Sequence, residues 1–288
     1  MTKIKKAIFP AAGFGTRFLP VTKAQPKEML PIVDKPVIQY LVEEAVAAGI
    51  EEIIIVTGRG KRAIEDHFDF SFELEYNLVE KGKQSLMKEV RKISEMAKFI
   101  YVRQPKPLGD GHAILCAKEI IGDEPFAVLF GDDIVDSETP AIQQLMNVYE
   151  ETKSCVIGLE KIAKKDSMHY GMVKAKNKQG RRVEIESLVE KPKPDKAPSN
   201  LGIIGKYICT PEIFKALEAS QSGTTDGEIR LIDGFRHLIQ TQPIYGYEIE
   251  GTRYDCGTKL GLIQATLNWA LKREDLASEL KSYMKTLF

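Results

Sequence analysis

Short apolar runs alternate along the first half of the chain with segments whose apolar residues recur at helical spacing. Four runs rich in β-branched and aromatic residues predict strands: IKKAIFP, EEIIIVTG, FIYVRQP and FAVLFGDD. Helical spacing lies between them, near residues 36–48, after the second run and from about residue 109. This alternation predicts a parallel sheet with crossover helices. The stretches IIIV and FAVLF show no polar alternation, which is typical of strands covered on both faces.

The pattern changes after about residue 152, where strand-like segments follow one another without helical spacing between them. Turns of Gly and Asn join SCVIGLEKI, GMVKAKN and RRVEIESLVEK, which predicts an antiparallel extension. Residues 191–200, KPKPDKAPSN, carry too much proline and charge for a helix or strand and predict a loop. Helical spacing returns in TPEIFKALEAS, in GEIRLIDGFRHLIQ and from about residue 258 to the end.

The charge balance gives no reason to expect a partner with a large field of one sign. The 288 residues include 41 Lys and Arg and 41 Asp and Glu, so neither nucleic acid nor an anionic membrane is an expected partner. No apolar stretch approaches the roughly 18 residues of a spanning helix. The first residues also lack the apolar region of a signal peptide.

The cysteines indicate reduced thiols and therefore a cytoplasmic protein. They are widely spaced, with no CxxC pair and no histidine at metal-binding spacing: Cys116, Cys155, Cys209 and Cys256. A zinc site or a disulfide framework is not expected from this arrangement.

A glycine turn follows the first predicted strand. Gly13 and Gly15 let backbone N–H groups approach an anion closely, as in loops that hold phosphates. A dinucleotide-binding fingerprint needs a third glycine at position 18, where the chain has Phe18. A hydroxyl and two cations follow the turn: Thr16, Arg17 and Lys27. A tight turn with solvated charges is the alternative, but the three together favour a polyphosphate.

Paired carboxylates follow the strand FAVLF. Asp132 and Asp133 suit Mg²⁺, which takes one or two protein carboxylates and completes its shell with phosphate oxygens and water. Because neighbouring residues of a strand point to opposite faces, one of the two should bind metal and the other should face elsewhere. The alternative is a turn that ends in an aspartate helix cap.

Two later segments carry further candidate chemistry. Asp255 in YDCGTK precedes a predicted helix, where capping is the ordinary explanation. Glu190 and Lys191 end the strand-like VEIESLVEK; a carboxylate suits sugar hydroxyls and an ammonium suits a monophosphate, although both residues could simply be exposed. No GxSxG is present, and four scattered histidines give little support to a histidine nucleophile or metal cluster: His67, His112, His169 and His237.

Several segments, taken in order, resemble the sugar-phosphate nucleotidyltransferases up to about residue 272: AAGFGTRFLPVTKAQPKEMLPIVDKPVIQYLVEEAVAAGI, FGDD, YGMV, EKP and YDCGTK. The resemblance is strongest to bacterial members that transfer a uridylyl group from UTP to glucose 1-phosphate. It implies an α/β fold with a Rossmann-like, mixed and mainly parallel sheet flanked by helices, an antiparallel sugar-binding extension and a C-terminal helical segment. It also implies a Mg²⁺-dependent, reversible reaction with direct in-line attack on the α-phosphorus.

The implied domain organisation is a single nucleotidyltransferase domain over residues 1–272. Its nucleotide-binding half covers residues 1–150 and its sugar-binding half covers residues 151–257. The helical segment 258–288 is a candidate oligomer contact, in a homodimer or a homotetramer.

The resemblance further implies roles for individual residues. Ala12, Gly13, Gly15, Thr16, Glu28, Gln104 and Gly109 would bind the nucleotide, with Glu28 near the base and Gln104 and Gly109 at the uracil edge. Gly171, Glu190, Lys191 and Asn200 would bind the sugar phosphate. Catalytic charge neutralisation would come from Arg17, Lys27 and Lys191, and Mg²⁺ would be held by Asp132 and Asp255. One departure is Asp110, which stands where family members often have an apolar residue.

Three alternatives stay open from the sequence. A glucose-1-phosphate thymidylyltransferase has the same fold, but PKEML favours UTP. An NAD-dependent oxidoreductase shares the strand–glycine–helix opening, but the third glycine is missing. A regulatory nucleotide-binding protein without turnover would have less need of Lys27 or Asp132.

Overall fold

The structure is a computed structural model and describes residues 3–220 and 227–287. Thirteen strands lie in these residues: β1 (Lys6–Pro10), β2 (Pro31–Ile32), β3 (Lys35–Pro36), β4 (Glu52–Thr57), β5 (Lys98–Arg103), β6 (Phe126–Leu129), β7 (Asp133–Asp136), β8 (Val156–Lys161), β9 (Gly171–Gln179), β10 (Arg182–Glu190), β11 (Leu201–Cys209), β12 (Tyr245–Glu248) and β13 (Thr252–Asp255).

Eleven α-helices lie in the same described residues: α1 (Val37–Ala47), α2 (Arg62–Phe68), α3 (Phe72–Glu80), α4 (Gln84–Glu95), α5 (Asp110–Cys116), α6 (Lys118–Ile121), α7 (Ala141–Thr152), α8 (Glu212–Ser220), α9 (Leu231–Leu238), α10 (Lys259–Lys272) and α11 (Glu274–Lys285). None of these helices combines the length and the apolar character that a bilayer-spanning helix requires. All four cysteines are free thiols.

One mixed sheet carries both halves of the chain. In the described residues it contains nine strands in the order β5-β4-β1-β6-β11-β8-β12-β10-β9. The first four are parallel, as the alternating pattern predicts. Beyond them the neighbouring pairs are antiparallel except β8 with β12. The antiparallel segments after residue 152 therefore continue the parallel sheet, and the predicted α/β class is confirmed.

Helices cover both faces of the parallel strands, which explains their uninterrupted apolar runs. Along β1, Ile8 packs on one face with residues of α5, α8 and α9. Its neighbours Ala7 and Phe9 pack on the other face with residues of α1 and α7. All three side chains are fully buried. Since successive strand residues point to opposite faces, burial on both sides leaves no polar position.

The pair β7–β13 was not predicted from the sequence. These strands are antiparallel, and Asp133 lies opposite Asp255. The helix-cap alternative for Asp255 is wrong, because the hydroxyl of Thr258 caps α10 by accepting the N–H of Gly261 at 3.1 Å. The helix-cap alternative for the paired aspartates is also wrong, because a strand follows them. The extra pairing therefore brings two acidic segments together.

A buried ion pair fixes α1 and α7 against the sheet. Lys206 of β11 is fully buried, and its Nζ lies 2.7 Å from Oε2 of Glu44 on α1. The other oxygen of Glu44 accepts the N–H of Ile142, in the first turn of α7, at 2.9 Å. A single carboxylate thus satisfies a buried cation and one otherwise unpaired helix N–H.

We expect Glu44→Ala to lower the free energy of unfolding by about 3–5 kcal/mol, because it leaves the Lys206 ammonium buried without a partner. Glu51→Ala is the matched control, since Glu51 pairs with Lys5 at the surface with side-chain exposures of 60% and 52%. The Glu51→Ala variant should lose at most about 1 kcal/mol of its free energy of unfolding. Urea unfolding of both variants measures the difference, and similar losses for the two would contradict the assigned role of Glu44.

Candidate active site

Two adjoining cavities lie where the parallel strands end. The N-half cavity has Ala12, Gly13, Lys27, Gln104 and Gly109 in its lining. The C-half cavity has Arg17, Gly171, Glu190, Lys191 and Asp255 in its lining. Three residues line both cavities: Asp110, Phe130 and Asp132. The carboxyl edge of an open α/β sheet is the usual place for ligands.

The glycine turn after β1 positions Lys27. Gly15 has a left-handed φ of 64°, and its carbonyl accepts the hydroxyl of Thr22 at 2.8 Å. A Cβ at Gly15 would lie 3.0 Å from the Cβ of Lys27, so glycine lets the lysine stem pack against the turn. Gly15 and Thr16 do not belong to either cavity lining; Thr16 and Arg17 are exposed.

Lys27 and Asp132 form an ion pair at the junction of the cavities, with Nζ and Oδ2 2.5 Å apart. Burial lowers the pKa of Lys27, but the carboxylates of Asp132 and Glu28 outweigh burial and the pKa is raised. Burial raises the pKa of Asp132, but the Lys27 ammonium outweighs it and the pKa is lowered. Both groups are therefore charged near neutral pH.

The two neighbouring aspartates face different partners. Oδ1 of Asp133 accepts Nε–H of Arg253 at 2.6 Å, and Oδ2 accepts the N–H of Gly205 at 2.6 Å. Asp132 instead faces Lys27. The two carboxylates therefore have different partners, although Asp132 lies in the turn before β7 and only Asp133 belongs to the strand.

Asp132 and Asp255 converge on Gly257. A Cβ on that glycine would lie 2.5 Å from Oδ2 of Asp132 and 2.9 Å from Oδ1 of Asp255. Burial raises the pKa of Asp255, and the nearby Asp133 carboxylate raises it further. Two convergent carboxylates, one of which has a raised proton affinity, suit a hard divalent cation.

The same carboxylates set a limit on how such an ion would be held. Within residues 3–220 and 227–287, no group of three or more His, Cys, Asp or Glu is arranged to hold a metal. An ion at Asp132 and Asp255 would therefore need oxygen ligands from substrate and water, which fits Mg²⁺.

Gln104 and Gly109 lie together in the N-half cavity. The Gln104 side-chain Nε2 donates to the carbonyl of Gly109 at 2.9 Å. Gly109 has a φ of 99°, and a Cβ there would lie 2.5 Å from the carbonyl oxygen of Ile229. Next to it, Oδ1 of Asp110 accepts the N–H groups of Gly111 at 2.7 Å and Leu231 at 2.9 Å. Asp110 therefore joins the start of α5 to the start of α9.

The C-half candidates meet where β9 begins and β10 ends. Gly171 lies opposite Glu190 in the strand register. A Cβ on Gly171 would lie 3.3 Å from Oε2 of Glu190 and 2.9 Å from Cδ1 of Ile232, so the glycine keeps this wall open. Lys191 has a φ of 43°, which is unusual for a residue with a side chain, and its N–H donates to the carbonyl of Tyr170 at 3.1 Å.

Glu28 and Asn200, like Gly15 and Thr16, lie outside both cavity linings. Glu28 is fully buried behind Gly131; Nζ of Lys61 lies 2.7 Å from its Oε2, and its Oε1 has no hydrogen-bond partner in the described residues. The Glu28 carboxylate therefore lies behind the cavity wall, and its place near the base stays a prediction. Asn200 is exposed, and its carbonyl accepts the N–H of Ile162 at 3.0 Å. Its role at the sugar phosphate stays a prediction.

Arg253 is the main cavity residue that the sequence interpretation missed. Its side chain is only 10% exposed and reaches Glu160 at 3.1 Å and the Tyr170 hydroxyl at 3.2 Å, besides Asp133. It lies two residues before Asp255 in RYDCGTK. Strand alternation places these two side chains on one face, a signal that could have identified Arg253.

The chain is similar to proteins of assigned activity. It is 55% identical over 287 residues to the UTP–glucose-1-phosphate uridylyltransferase of Bacillus subtilis strain 168, covering 100% of this chain and 98% of that protein. A UDP-glucose pyrophosphorylase crystallised with UDP-glucose superposes with a TM-score of 0.85 and 44% identity, over 94% of this chain and 100% of that one. The UTP-bound enzyme of Acinetobacter baumannii superposes with a TM-score of 0.91 and 40% identity, over 99% of this chain and 100% of that one.

A family model described as nucleotidyl transferase matches residues 6–270, which include every predicted site residue. The resemblance inferred from the motifs is confirmed by this match and by the full-length identity to the Bacillus protein. The chain therefore belongs to the nucleotidyl transferase family.

Proposed function

We propose that the protein transfers a uridylyl group from UTP to glucose 1-phosphate, giving UDP-glucose and pyrophosphate with Mg²⁺ as cofactor. The observation that carries this proposal is the convergence of Lys27, Asp132 and Asp255 where the two cavities adjoin. A site that joins two anionic substrates needs cationic groups and a metal ligand set at that junction. The similar proteins named above carry the matching enzyme names.

The N-half cavity is the proposed nucleotide site. Ala12, Gly13, Gln104 and Gly109 line it, and Gly15 and Thr16 shape the turn at its phosphate end. Glu28 supports the wall at Gly131 rather than contacting the base. The C-half cavity is the proposed sugar-phosphate site, with Glu190 for sugar hydroxyls and Lys191 for the phosphate.

The proposed chemistry is direct attack by a sugar-phosphate oxygen on the α-phosphorus of UTP. Among the described residues, neither cavity lining contains a serine or cysteine, which supports a reaction without a covalent enzyme intermediate. Asp132 and Asp255 would hold Mg²⁺, which neutralises phosphate charge when bound. Arg17, Lys27 and Lys191 add positive charge, so catalysis depends on positioning and electrostatic stabilisation.

The alternatives have less support. Family membership leaves an NAD-dependent oxidoreductase without support. The substrate of a thymidylyltransferase, dTTP, differs from UTP by one base methyl and one ribose hydroxyl. Because a methyl group is worth roughly 1–3 kcal/mol in discrimination, we expect side activity with dTTP. A binding protein without turnover does not account for Lys27, Asp132 and Asp255 at one junction.

We also propose a cytoplasmic homo-oligomer, a homodimer or a homotetramer. The free thiols support the location. Exposed apolar side chains on α10 and α11 support an interface there: Leu260, Ile263 and Tyr283.

Pyrophosphate release by the purified protein tests the proposed function. UTP, dTTP, ATP, CTP and GTP are each combined with glucose 1-phosphate and N-acetylglucosamine 1-phosphate, with Mg²⁺ or with excess EDTA. We expect a maximum for UTP with glucose 1-phosphate and no release in EDTA. A maximum for another pair would reassign the specificity, and no release from any pair would contradict the enzyme proposal.

Lys27→Ala and Asp132→Ala should each lower kcat by on the order of 10²-fold or more, the scale of removing one electrostatic stabiliser. Lys23→Ala is the matched control, since Lys23 is an exposed lysine of the same loop and belongs to neither cavity lining. Circular dichroism and thermal unfolding verify that each variant folds. Near-normal turnover in a folded variant would refute the role assigned to that residue.

Lys191→Ala should weaken the binding of glucose 1-phosphate more than the binding of UTP, because Lys191 lines only the C-half cavity. Loss of a charge-assisted contact predicts a rise of roughly tenfold or more in KM for glucose 1-phosphate. KM for UTP should change less than about threefold. Steady-state kinetics with each substrate varied in turn give both values. Equal effects on the two substrates would remove the assignment of Lys191 to the sugar phosphate.

A further inference from the structure

The side-chain amide of Gln104 is held in one orientation. Its Nε2 lies 2.9 Å from the carbonyl oxygen of Gly109 and 3.0 Å from Nδ1 of His112. A backbone carbonyl can only accept a hydrogen bond, so the amide nitrogen must face it. The amide oxygen of Gln104 therefore points away from both partners.

The contact with Gln104 also fixes the tautomer of His112. Because the amide nitrogen is a donor, Nδ1 of His112 must accept, which requires a neutral ring with its proton on Nε2. Burial lowers the pKa of His112, in keeping with a neutral ring. The histidine backbone is also held, since its N–H donates to the carbonyl of Ile229 at 3.3 Å.

Gln104 and His112 differ in their access to the nucleotide site. Gln104 belongs to the N-half cavity lining, whereas His112 does not. In the described residues, Oε1 of Gln104 accepts no hydrogen bond, while both Nε2 hydrogens have an acceptor. The amide oxygen of this cavity residue is therefore free to accept a hydrogen bond from a bound base, whereas His112 contacts Gln104 without lining the cavity.

Pyrimidine bases respond differently to such an acceptor. Uracil and thymine present an N3–H donor between two carbonyl oxygens, whereas cytosine has a lone pair at N3 and an amino group at C4. An acceptor facing N3 pairs with uracil and repels cytosine. Turning the amide around would reverse this preference, but it would place the Gln104 oxygen against the carbonyl oxygen of Gly109, and it would require the His112 proton to move from Nε2 to Nδ1.

We propose that His112 is a positioning residue that fixes the Gln104 amide with its oxygen towards the base, and thereby makes the nucleotide site select UTP over CTP. This inference rests on the proposed function, because it takes the base to lie against Gln104. It gives His112 a role in specificity without contact with substrate. It also predicts no discrimination between UTP and dTTP at this contact, since uracil and thymine share N3–H.

Equilibrium binding tests the inference without depending on turnover. Isothermal titration calorimetry with Mg²⁺ and no sugar phosphate gives Kd for UTP, dTTP and CTP. The proteins are the wild type, His112→Leu, which removes the acceptor, and His112→Asn, whose Oδ1 can replace Nδ1 as the acceptor. His237→Leu is the matched control, because His237 is exposed and belongs to neither cavity lining.

We expect His112→Leu to reduce the ratio of Kd for CTP to Kd for UTP by roughly tenfold, the scale of one hydrogen bond that holds a buried polar group. His112→Asn should keep most of the wild-type ratio, and His237→Leu should keep all of it. The ratio of Kd for UTP to Kd for dTTP should be the same in all four proteins. If His112 had only a structural role, His112→Leu would weaken the binding of all three nucleotides by the same factor.

Three outcomes would overturn the inference: an unchanged ratio in His112→Leu, a ratio in His112→Asn that falls as far as in His112→Leu, or a wild type that binds CTP and UTP equally. If the leucine variant does not fold, nitrogen-15 NMR of the wild-type His112 ring decides, and a protonated Nδ1 would overturn it. Failure of the proposed function is distinct, because it appears as nucleotide binding without pyrophosphate release.

Discussion

The Lys27 ammonium and the Asp132 carboxylate form the contact on which the rest of the site depends. They lie at the junction of two cavities that we assign to two anionic substrates. Asp132 and Asp255 approach the same point at Gly257, and two carboxylates so placed repel each other and the phosphates. Lys27 balances one of those charges in the protein itself. In the proposed site, Asp132 would hold a metal cation and the Lys27 ammonium would face phosphate oxygens.

The surrounding structure keeps these groups in place with small residues and buried pairs. Glycines at positions 15 and 257 leave no side chain between the turn, the lysine stem and the two aspartates. Asp133 is kept away from the junction by Arg253, which also holds Glu160 and Tyr170. Lys27, Asp133 and Lys206 each have an opposite charge within hydrogen-bonding distance, which is the condition for keeping ions in a low-dielectric interior.

Most of the fold could be predicted from the sequence, because the apolar runs of the strands and the helical spacing of apolar residues are both strong in this chain. The four parallel strands, the helix near residues 36–48 and the antiparallel segments all follow from local patterns. The β7–β13 pair does not, because four-residue strands containing charge have little periodicity and their pairing joins segments more than 100 residues apart. Capping of α10 by Asp255 was an open alternative for a related reason: an aspartate suits a helix cap, and only the geometry assigns the cap to Thr258.

The candidate site was predicted in outline from motifs, whereas the position of each side chain relative to the cavities was not. Motifs carry residue types and order, so they identified the residues that line the cavities, such as Lys27 and Asp132. They do not show whether a side chain reaches the surface of a cavity. Glu28 lies directly after Lys27 in sequence, yet it is buried with Lys61 on the other side of the wall. Asn200 likewise lies one residue before a buried strand but faces outward.

The position of the proposed base-reading segment is set by the other half of the chain. Ile229 donates its N–H to the carbonyl of Leu108 at 2.7 Å and accepts the N–H of Gly111 at 2.8 Å. Asp110 adds the bond to Leu231, at the start of a helix that contacts β10. The loop that holds Gln104 through Gly109 is thus tied to a helix beside the sugar-side wall. Hydrogen bonds therefore connect the loop of the N-half cavity directly to α9, whose residues Leu231, Ile232 and Phe235 line the C-half cavity.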